Sequence, residues 1–166
     1  MIPRFPSKQT AGFGLIETVV GIAILIGLMV ALTNAVGLAS RTTEKNVKSQ
    51  VASLLLTEGI EAVRTLRDTS WQNKVVPLTI GTPYYLSFDG IAWTATTSAQ
   101  YAYVQGMYER KIVFANVNRD INDDIITSGG TLDLKTRKVT VTVSWFDRTA
   151  TSSEQISTYI TNLFAN

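Results

Sequence analysis

The sequence predicts an α+β protein in which a long N-terminal α-helix, transmembrane in its first half, packs against a C-terminal antiparallel β-sheet. Three observations support this prediction. Residues 15–39 are almost wholly apolar and long enough to cross about 30 Å of hydrocarbon as a helix. Residues 40–70 carry apolar side chains at three- and four-residue spacing, as one face of a helix does. From Trp71 onward the apolar residues recur every second position, as in half-buried strands.

Composition and charge narrow the range of functions. The chain has 166 residues, enough for one ordinary domain with an appended element. Its net charge of +2 comes from residues 1–12, which carry Arg4 and Lys8 and no acid. The neutral remainder gives no general reason to expect nucleic-acid binding. The chain has no cysteine and no histidine, which excludes disulfides and histidine-dependent catalysis. Because its carboxylates are scattered, we expect neither enzymatic activity nor a cofactor.

A basic leader, residues 1–12, precedes an apolar segment, residues 13–39. A secretory signal has its small-residue cleavage site after the apolar stretch, whereas here the small residue, Gly12, comes before it. Cleavage after Gly12 would therefore leave the apolar segment in the mature protein. Arg4 and Lys8 favour a cytoplasmic N-terminus, with the rest of the chain outside.

The stretch Gly12-Phe13-Gly14-Leu15-Ile16-Glu17-Thr18-Val19-Val20 resembles the cleavage motif of type IV prepilins and their relatives. The resemblance covers roughly residues 8–40. It implies that a prepilin peptidase cuts between Gly12 and Phe13, that Phe13 becomes N-methylated, and that Glu17 is the fifth mature residue, where the family carries its glutamate. It also implies a pilin-like lollipop fold, in which the long helix carries a globular head.

Glu17 is the one charged side chain in residues 13–39. An acid at a bilayer centre is unfavourable by about 2.5 to 3.5 kcal/mol even on insertion scales. Cleavage would create a positive amine at Phe13, the natural counter-charge for Glu17, either in the same helix or in a neighbouring subunit. The resemblance implies the second of these cases. The Phe13 amine of each arriving subunit would pair with Glu17 of a neighbouring subunit and so set the register of the arriving subunit in the filament. The alternative is that Glu17 lies at headgroup level and is solvated.

Residues 40–70 are predicted to form the amphipathic half of the same helix, which would run from about Phe13 to about Asp68. Apolar residues such as Val47, Val51 and Leu55 would pack on the globular part. The charged residues Glu58, Glu61, Arg64 and Arg67 would form a solvated or intersubunit face.

Residues 71–166 are predicted to be a β-rich head. Two apolar runs flank Asp89-Gly90, which favours a two-residue type I′ hairpin that pairs Phe88 with Ile91 and Leu86 with Trp93. Further strands are expected over residues 109–117, 139–145 and 156–164. A weaker edge strand is expected over residues 75–80, because Pro77 is tolerated in a sheet mainly at an edge.

Three groups of residues are weaker candidates for binding sites. Asp120, Asn122 and Asp124 resemble the opening of a calcium loop, but positions six and twelve of that loop are Ile125 and Thr131, so a polar surface loop is the alternative. Lys135, Arg137 and Lys138 could contact DNA phosphates or form a charged turn before a strand. Six aromatic residues could build an adhesive surface or pack in the core: Tyr84, Tyr85, Trp93, Tyr101, Tyr103 and Tyr108.

The sequence therefore leads to the expectation of a structural subunit, major or minor, of a type IV pilus-like filament. Its partners would be other pilin subunits bound through the N-terminal helix, the prepilin peptidase, and the assembly platform with its ATPase. It would lie in the cytoplasmic membrane before assembly and in an extracellular filament afterwards. Two alternatives stay open, a pseudopilin of a type II secretion system and a membrane-anchored binding or enzymatic domain.

Overall fold

The computed structural model describes residues 14–163, in which helix α1 runs from Leu15 to Thr69. The chain divides within this helix into two compact units, the first ending at Glu44 and the second beginning at Lys45. We call the second unit the head. The predicted single helix is confirmed over the described residues and ends one residue later than expected, whereas Phe13 lies outside them. The division follows Glu44 because residues further along α1 are buried by the sheet, whereas residues 14–43 are exposed.

Within the described part of the head, the strands form one seven-stranded antiparallel sheet. The strands are β1 (Pro83–Phe88), β2 (Trp93–Thr96), β3 (Tyr103–Val104), β4 (Tyr108–Arg119), β5 (Ile125–Ile126), β6 (Thr131–Asp147) and β7 (Ala150–Thr161). The spatial order is β2-β1-β4-β6-β7, and the short strands β3 and β5 also pair with β4. The strands predicted over residues 109–117 and 139–145 lie inside β4 and β6. The strand expected over 156–164 begins earlier, at Ala150, because it pairs with β6 as far as Asp147.

The core of the head lies between α1 and one face of the sheet. Ile112 and Phe114 of β4 and Val141 of β6 are fully buried, in the alternating pattern of a sheet with one solvated face. The buried face of α1 packs in the same cluster and consists of Ala52, Leu55, Leu56, Gly59, Ile60, Ala62, Val63 and Leu66. The α+β class with a long N-terminal helix on an antiparallel sheet is thus confirmed.

Gly59 marks a close approach of α1 to the sheet. A Cβ atom added at Gly59 would lie 2.8 Å from Cγ1 of Val141, which is fully buried. A glycine in a helix interior is less favourable than alanine by roughly 0.8 to 1.0 kcal/mol. The missing side chain therefore serves the contact between the helix and the strand.

The variant Gly59→Ala is expected to lose about 1 to 3 kcal/mol of unfolding free energy, because overpacking a filled core outweighs the gain in helix propensity. The measurement is chemical denaturation of the full chain in detergent, followed by tryptophan fluorescence, since Trp71, Trp93 and Trp145 all belong to the head. Val141→Ala should lower the free energy of unfolding by less in the Gly59→Ala background than in the parent chain. If Gly59→Ala alone is as stable as the parent, the close approach of α1 to the sheet is contradicted.

The β1–β2 hairpin forms as predicted, but its register was predicted wrongly. Phe88 pairs with Trp93 and Leu86 with Ala95, so the loop has four residues rather than two. The reason is Asp89, whose Oδ1 accepts hydrogen bonds from the backbone N–H groups of Ile91 and Ala92 at 2.9 and 2.8 Å. The Ala92 bond, followed by that of Ile91, lowers the pKa of Asp89. Ile91 consequently lies in the loop, 93% exposed, instead of facing Phe88.

The edge strand predicted over residues 75–80 is wrong. Residues Trp71–Val75 form a single π-helical turn, and the chain then continues through turns to β1. The hydroxyl of Ser70 caps this turn by accepting a hydrogen bond from the backbone N–H of Asn73 at 3.2 Å. Trp71 and Val75 are both buried, so these apolar side chains pack the turn onto the core and do not indicate a strand.

Candidate functional site

The predicted processing and assembly residues lie at the start of α1. Gly12 and Phe13 fall outside the described residues 14–163. Glu17 lies in the first turn of α1, where its backbone N–H donates to the carbonyl of Gly14 at 2.9 Å. A carboxylate in the first turn interacts favourably with the helix dipole. Within residues 14–163 the Glu17 carboxylate makes no ion pair, so these residues do not supply its counter-charge.

The apolar part of α1 is exposed along its length over the described residues. Between residues 15 and 38, fourteen large apolar side chains are each 52% to 82% exposed. Monomeric soluble proteins rarely expose contiguous apolar surface on this scale, and such surface marks a membrane or protein partner. By length and composition, α1 is the one helix among residues 14–163 able to cross a membrane.

The polar groups of this segment are mostly satisfied within the helix. The hydroxyl of Thr18 donates to the carbonyl of Leu15 at 2.9 Å, and that of Thr33 donates to the carbonyl of Val30 at 2.9 Å. In addition, a Cβ atom added at Gly21, Gly27 or Gly37 would meet no atom within 4 Å. These glycines are therefore not needed for packing within the described chain, and they leave a surface that a second helix can approach closely.

The Asp120 loop uses its carboxylate to hold its own backbone. Oδ1 of Asp120 accepts hydrogen bonds from the backbone N–H groups of Asn122 and Asp124, at 2.8 and 2.9 Å. Asp123, between them, has the left-handed backbone conformation, with φ of 68°. Over residues 14–163 no group of three or more carboxylates is arranged to hold a metal ion. Calcium binding by Asp120, Asn122 and Asp124 stays a prediction, and the geometry favours the polar-loop alternative.

Next to this loop, Arg119 and Asp133 form an ion pair that the sequence did not predict. Nε of Arg119 donates to Oδ2 of Asp133 at 2.7 Å, and Nη1 donates to the carbonyl of Asp123 at 2.7 Å. These residues line an open cleft of about 420 Å³ that also includes Asp120, Thr131 and Thr136. Arg119 and Thr131 are cross-strand neighbours, and Asp133 lies two residues after Thr131 on β6. The ion pair could therefore have been predicted only from the pairing of β4 with β6, because no local motif contains both residues. The guanidinium pairs with Asp133 and lies 3.5 Å from Asp123, so it offsets part of the negative charge that would attract a cation.

The pKa of Asp133 follows from this arrangement. Partial burial raises the pKa of Asp133, but hydrogen bonds from Arg119, from the Thr136 hydroxyl and from the backbone of Lys135 outweigh it and lower the pKa to about 2. In the same pair, the hydrogen bond to Asp133 raises the pKa of Arg119. The ionised pair is therefore favoured in the folded head over the whole neutral and mildly acidic range.

Acid should weaken the head through this pair. An unfolded aspartate titrates near 3.9, so a folded pKa of about 2 stabilises the head above pH 4 and that contribution is lost as the pH falls from 4 towards 2. We expect Asp133→Asn to be less stable than the parent by about 1 to 2 kcal/mol at pH 5, with the difference shrinking by pH 2. Denaturant titration at both pH values measures this. Arg119→Gln should reduce the stability that the head loses on acidification, because it removes the partner of Asp133. A difference between Asp133→Asn and the parent that is the same at pH 5 and pH 2 would contradict the assignment of this loss to the Arg119–Asp133 pair.

The cationic stretch at residues 135–138 is neither a turn nor a cluster. It lies inside β6, so the charged turn expected from the sequence is wrong. Nη1 of Arg137 donates to the carbonyls of Val75 and Leu78 at 2.7 and 2.8 Å, and Nη2 donates to the carbonyl of Val76 at 3.1 Å. Burial lowers the pKa of Arg137. Because successive strand residues point to opposite faces, Lys138 points away from Arg137, and the three cations present no common surface to a phosphate backbone.

Three of the six aromatic residues considered for adhesion, Tyr84, Trp93 and Tyr108, belong to the core or pack against it. Tyr84 and Tyr108 are buried, and the Phe88 and Trp93 rings pack with their centroids 5.1 Å apart. Tyr101 and Tyr103 remain exposed. The structure thus brings the aromatic side chains together mainly as cross-strand packing.

Comparison of the chain with protein-family models, with curated proteins and with solved structures found no match. The exposed apolar segment of α1, with Glu17 in its first turn, is therefore the site on which a function can be argued.

Proposed function

We propose that the protein is the structural subunit, a major or minor pilin, of a type IV pilus-like filament. The observation that carries the proposal is the junction at Gly12, Phe13 and Glu17, at the start of an apolar segment whose large side chains are exposed over the described residues. The segment would lie first among lipids and later among the same segments of neighbouring subunits. The head would form the outer surface of the filament.

The charge distribution supports a defined orientation in the membrane. Arg4 and Lys8 precede the apolar segment, so by the positive-inside rule the leader faces the cytoplasm and the head lies outside. A peptidase acting at the cytoplasmic face would remove both cations together with the leader. The mature subunit would keep a positive N-terminal amine at Phe13, which would bind Glu17 of an adjacent subunit. An assembly platform and its ATPase would then extract the subunit from the cytoplasmic membrane into the extracellular filament.

Mass spectrometry of the mature N-terminus tests the proposal. The expected result is a chain that begins at N-methylated Phe13. Gly12→Val should block cleavage by filling the small-residue position, whereas Gly14→Ala, a matched change two residues later, should be processed. A mature N-terminus at Met1 would overturn the proposal and favour a membrane-anchored binding or enzymatic domain. Correct processing without filaments on the cell surface would instead favour a type II secretion pseudopilin.

A further inference from the structure

Asn34 is the uncharged polar side chain of the apolar segment that makes no hydrogen bond within residues 14–163. The hydroxyls of Thr18 and Thr33 donate to carbonyls of their own helix. The carboxamide of Asn34 is exposed and makes no hydrogen bond within residues 14–163. A carboxamide offers two donors and an acceptor oxygen, and lipid chains can satisfy neither.

Asn34 lies inside the segment, towards its C-terminal end. It precedes Ala39 by five positions, about 7.5 Å along the helix axis. Side chains on a helix tilt towards its N-terminus, so the short amide points back into the segment rather than towards the nearer end. An asparagine side chain is too short to extend towards headgroups in the way that a lysine or arginine side chain does.

The face that carries Asn34 suits a second helix. Gly27 lies seven residues before it and Ala31 three residues before it, so all three share one side of α1. A Cβ atom at Gly27 would meet no atom within 4 Å. Small residues next to a polar side chain allow two apolar helices to approach until hydrogen bonds form between them.

We propose that two copies of this chain pair side by side in the membrane through reciprocal hydrogen bonds between their Asn34 carboxamides. The pairing rests on the membrane insertion that the proposed function includes. Identical chains insert with the same orientation, so their Asn34 side chains lie at the same depth. The amide is both donor and acceptor, so it complements its own copy. The pair is a membrane-stored form that precedes any filament.

Cysteine cross-linking tests the pairing directly, because the chain contains no cysteine and each introduced one reports a single position. Full-length Ala31→Cys and Val36→Cys variants are expressed in cells that lack the prepilin peptidase and the assembly machinery, and their membranes are oxidised. Ala31 is on the Asn34 face, and Val36 is two residues past Asn34, about 200° around the helix. We expect a disulfide-linked dimer from Ala31→Cys and little from Val36→Cys.

Substitution of the amide then separates its role from general apolar contact. Asn34→Leu added to Ala31→Cys should lower the cross-linked fraction, with the association constant falling about three- to thirtyfold. Asn34→Gln, which retains a carboxamide, should keep most of it, and Thr33→Ala should leave it unchanged.

Equal cross-linking from the two faces would overturn the proposal, as would a yield unaffected by Asn34→Leu. A link to a different protein, or a chain that fails to insert, would overturn it as well. Because these cells neither process nor assemble the chain, the outcome is independent of the N-terminal test. If Ala31→Cys stays monomeric in these cells while the chain in normal cells begins at Phe13, the pairing alone is refuted. If Ala31→Cys forms dimers while the chain in normal cells still begins at Met1, the pilin function alone is refuted.

Discussion

Replacing Arg137 with methionine is expected to remove about 3 kcal/mol of unfolding free energy from the head. The guanidinium spans the carbonyls of Val75, Val76 and Leu78 and so holds the segment after the π-helical turn against β6. Methionine retains much of the side-chain volume but donates no hydrogen bond. Each lost bond from a charged donor costs about 1.5 to 3 kcal/mol, and water recovers part of that where a carbonyl is exposed.

Denaturant unfolding of the full chain in detergent, followed by tryptophan fluorescence, measures this loss. Arg137→Lys should give an intermediate result, because one ammonium group cannot reproduce the fork of a guanidinium. Lys135→Met is the matched control, since Lys135 lies two residues earlier on β6 with an exposed side chain, and it should change stability by less than about 0.5 kcal/mol. Equal stability of Arg137→Met and Lys135→Met would show that the three carbonyls do not depend on Arg137.

Replacing Glu17 with alanine is expected to abolish filament assembly while leaving the chain in the membrane. In the proposed filament the Glu17 carboxylate meets the Phe13 amine of an adjacent subunit. Removing one partner of a buried ion pair leaves the other uncompensated at a cost of about 3 to 5 kcal/mol, so assembled material should fall by on the order of a hundredfold or more. The measurement compares the chain in sheared filaments with the chain in membranes.

Two further variants sharpen this test. Glu17→Gln keeps the shape and a hydrogen-bonding oxygen, so assembly that falls as far as in Glu17→Ala would assign the effect to charge. Thr18→Ala, the matched neighbour, removes a hydroxyl that bonds only within its own helix among the described residues, and it should assemble normally. Normal filaments from Glu17→Ala would support the alternative that Glu17 is solvated at headgroup level.

Local pattern was sufficient for the long elements. The apolar segment and the spacing of Val47, Val51 and Leu55 predicted α1, although Val47 is 52% exposed instead of packing on the head, and the alternation in β6 predicted its strand. The hairpin register was predicted wrongly because Asp89 caps its own loop, a choice between two turn types that differ little in sequence. Asn34 was visible as the one carboxamide in the apolar segment, but its significance depended on finding that its neighbours' hydroxyls are satisfied within the helix.

Contacts between distant residues were beyond the sequence. Glu58 was expected on a solvated or intersubunit face, yet its carboxylate lies 3.1 Å from Nη1 of the buried Arg110 on β4. Arg137 was considered for DNA binding but caps carbonyls about sixty positions away. Each of these side chains has a partner that no periodicity identifies, because the packing of α1 and of the turns after it on the sheet brings the partner there.

The sequence by itself determined the α+β class, the long helix, the apolar segment and the junction at Gly12, Phe13 and Glu17, because each of these depends on residues close together in the chain. Only the tertiary structure decided how the charges of the head are used: Arg119 with Asp133, Arg110 with Glu58, and Arg137 with the carbonyls after the π-helical turn. The physical reason is that a charge costs free energy when it loses water, so its role is set by the partner that replaces water, and folding chooses that partner.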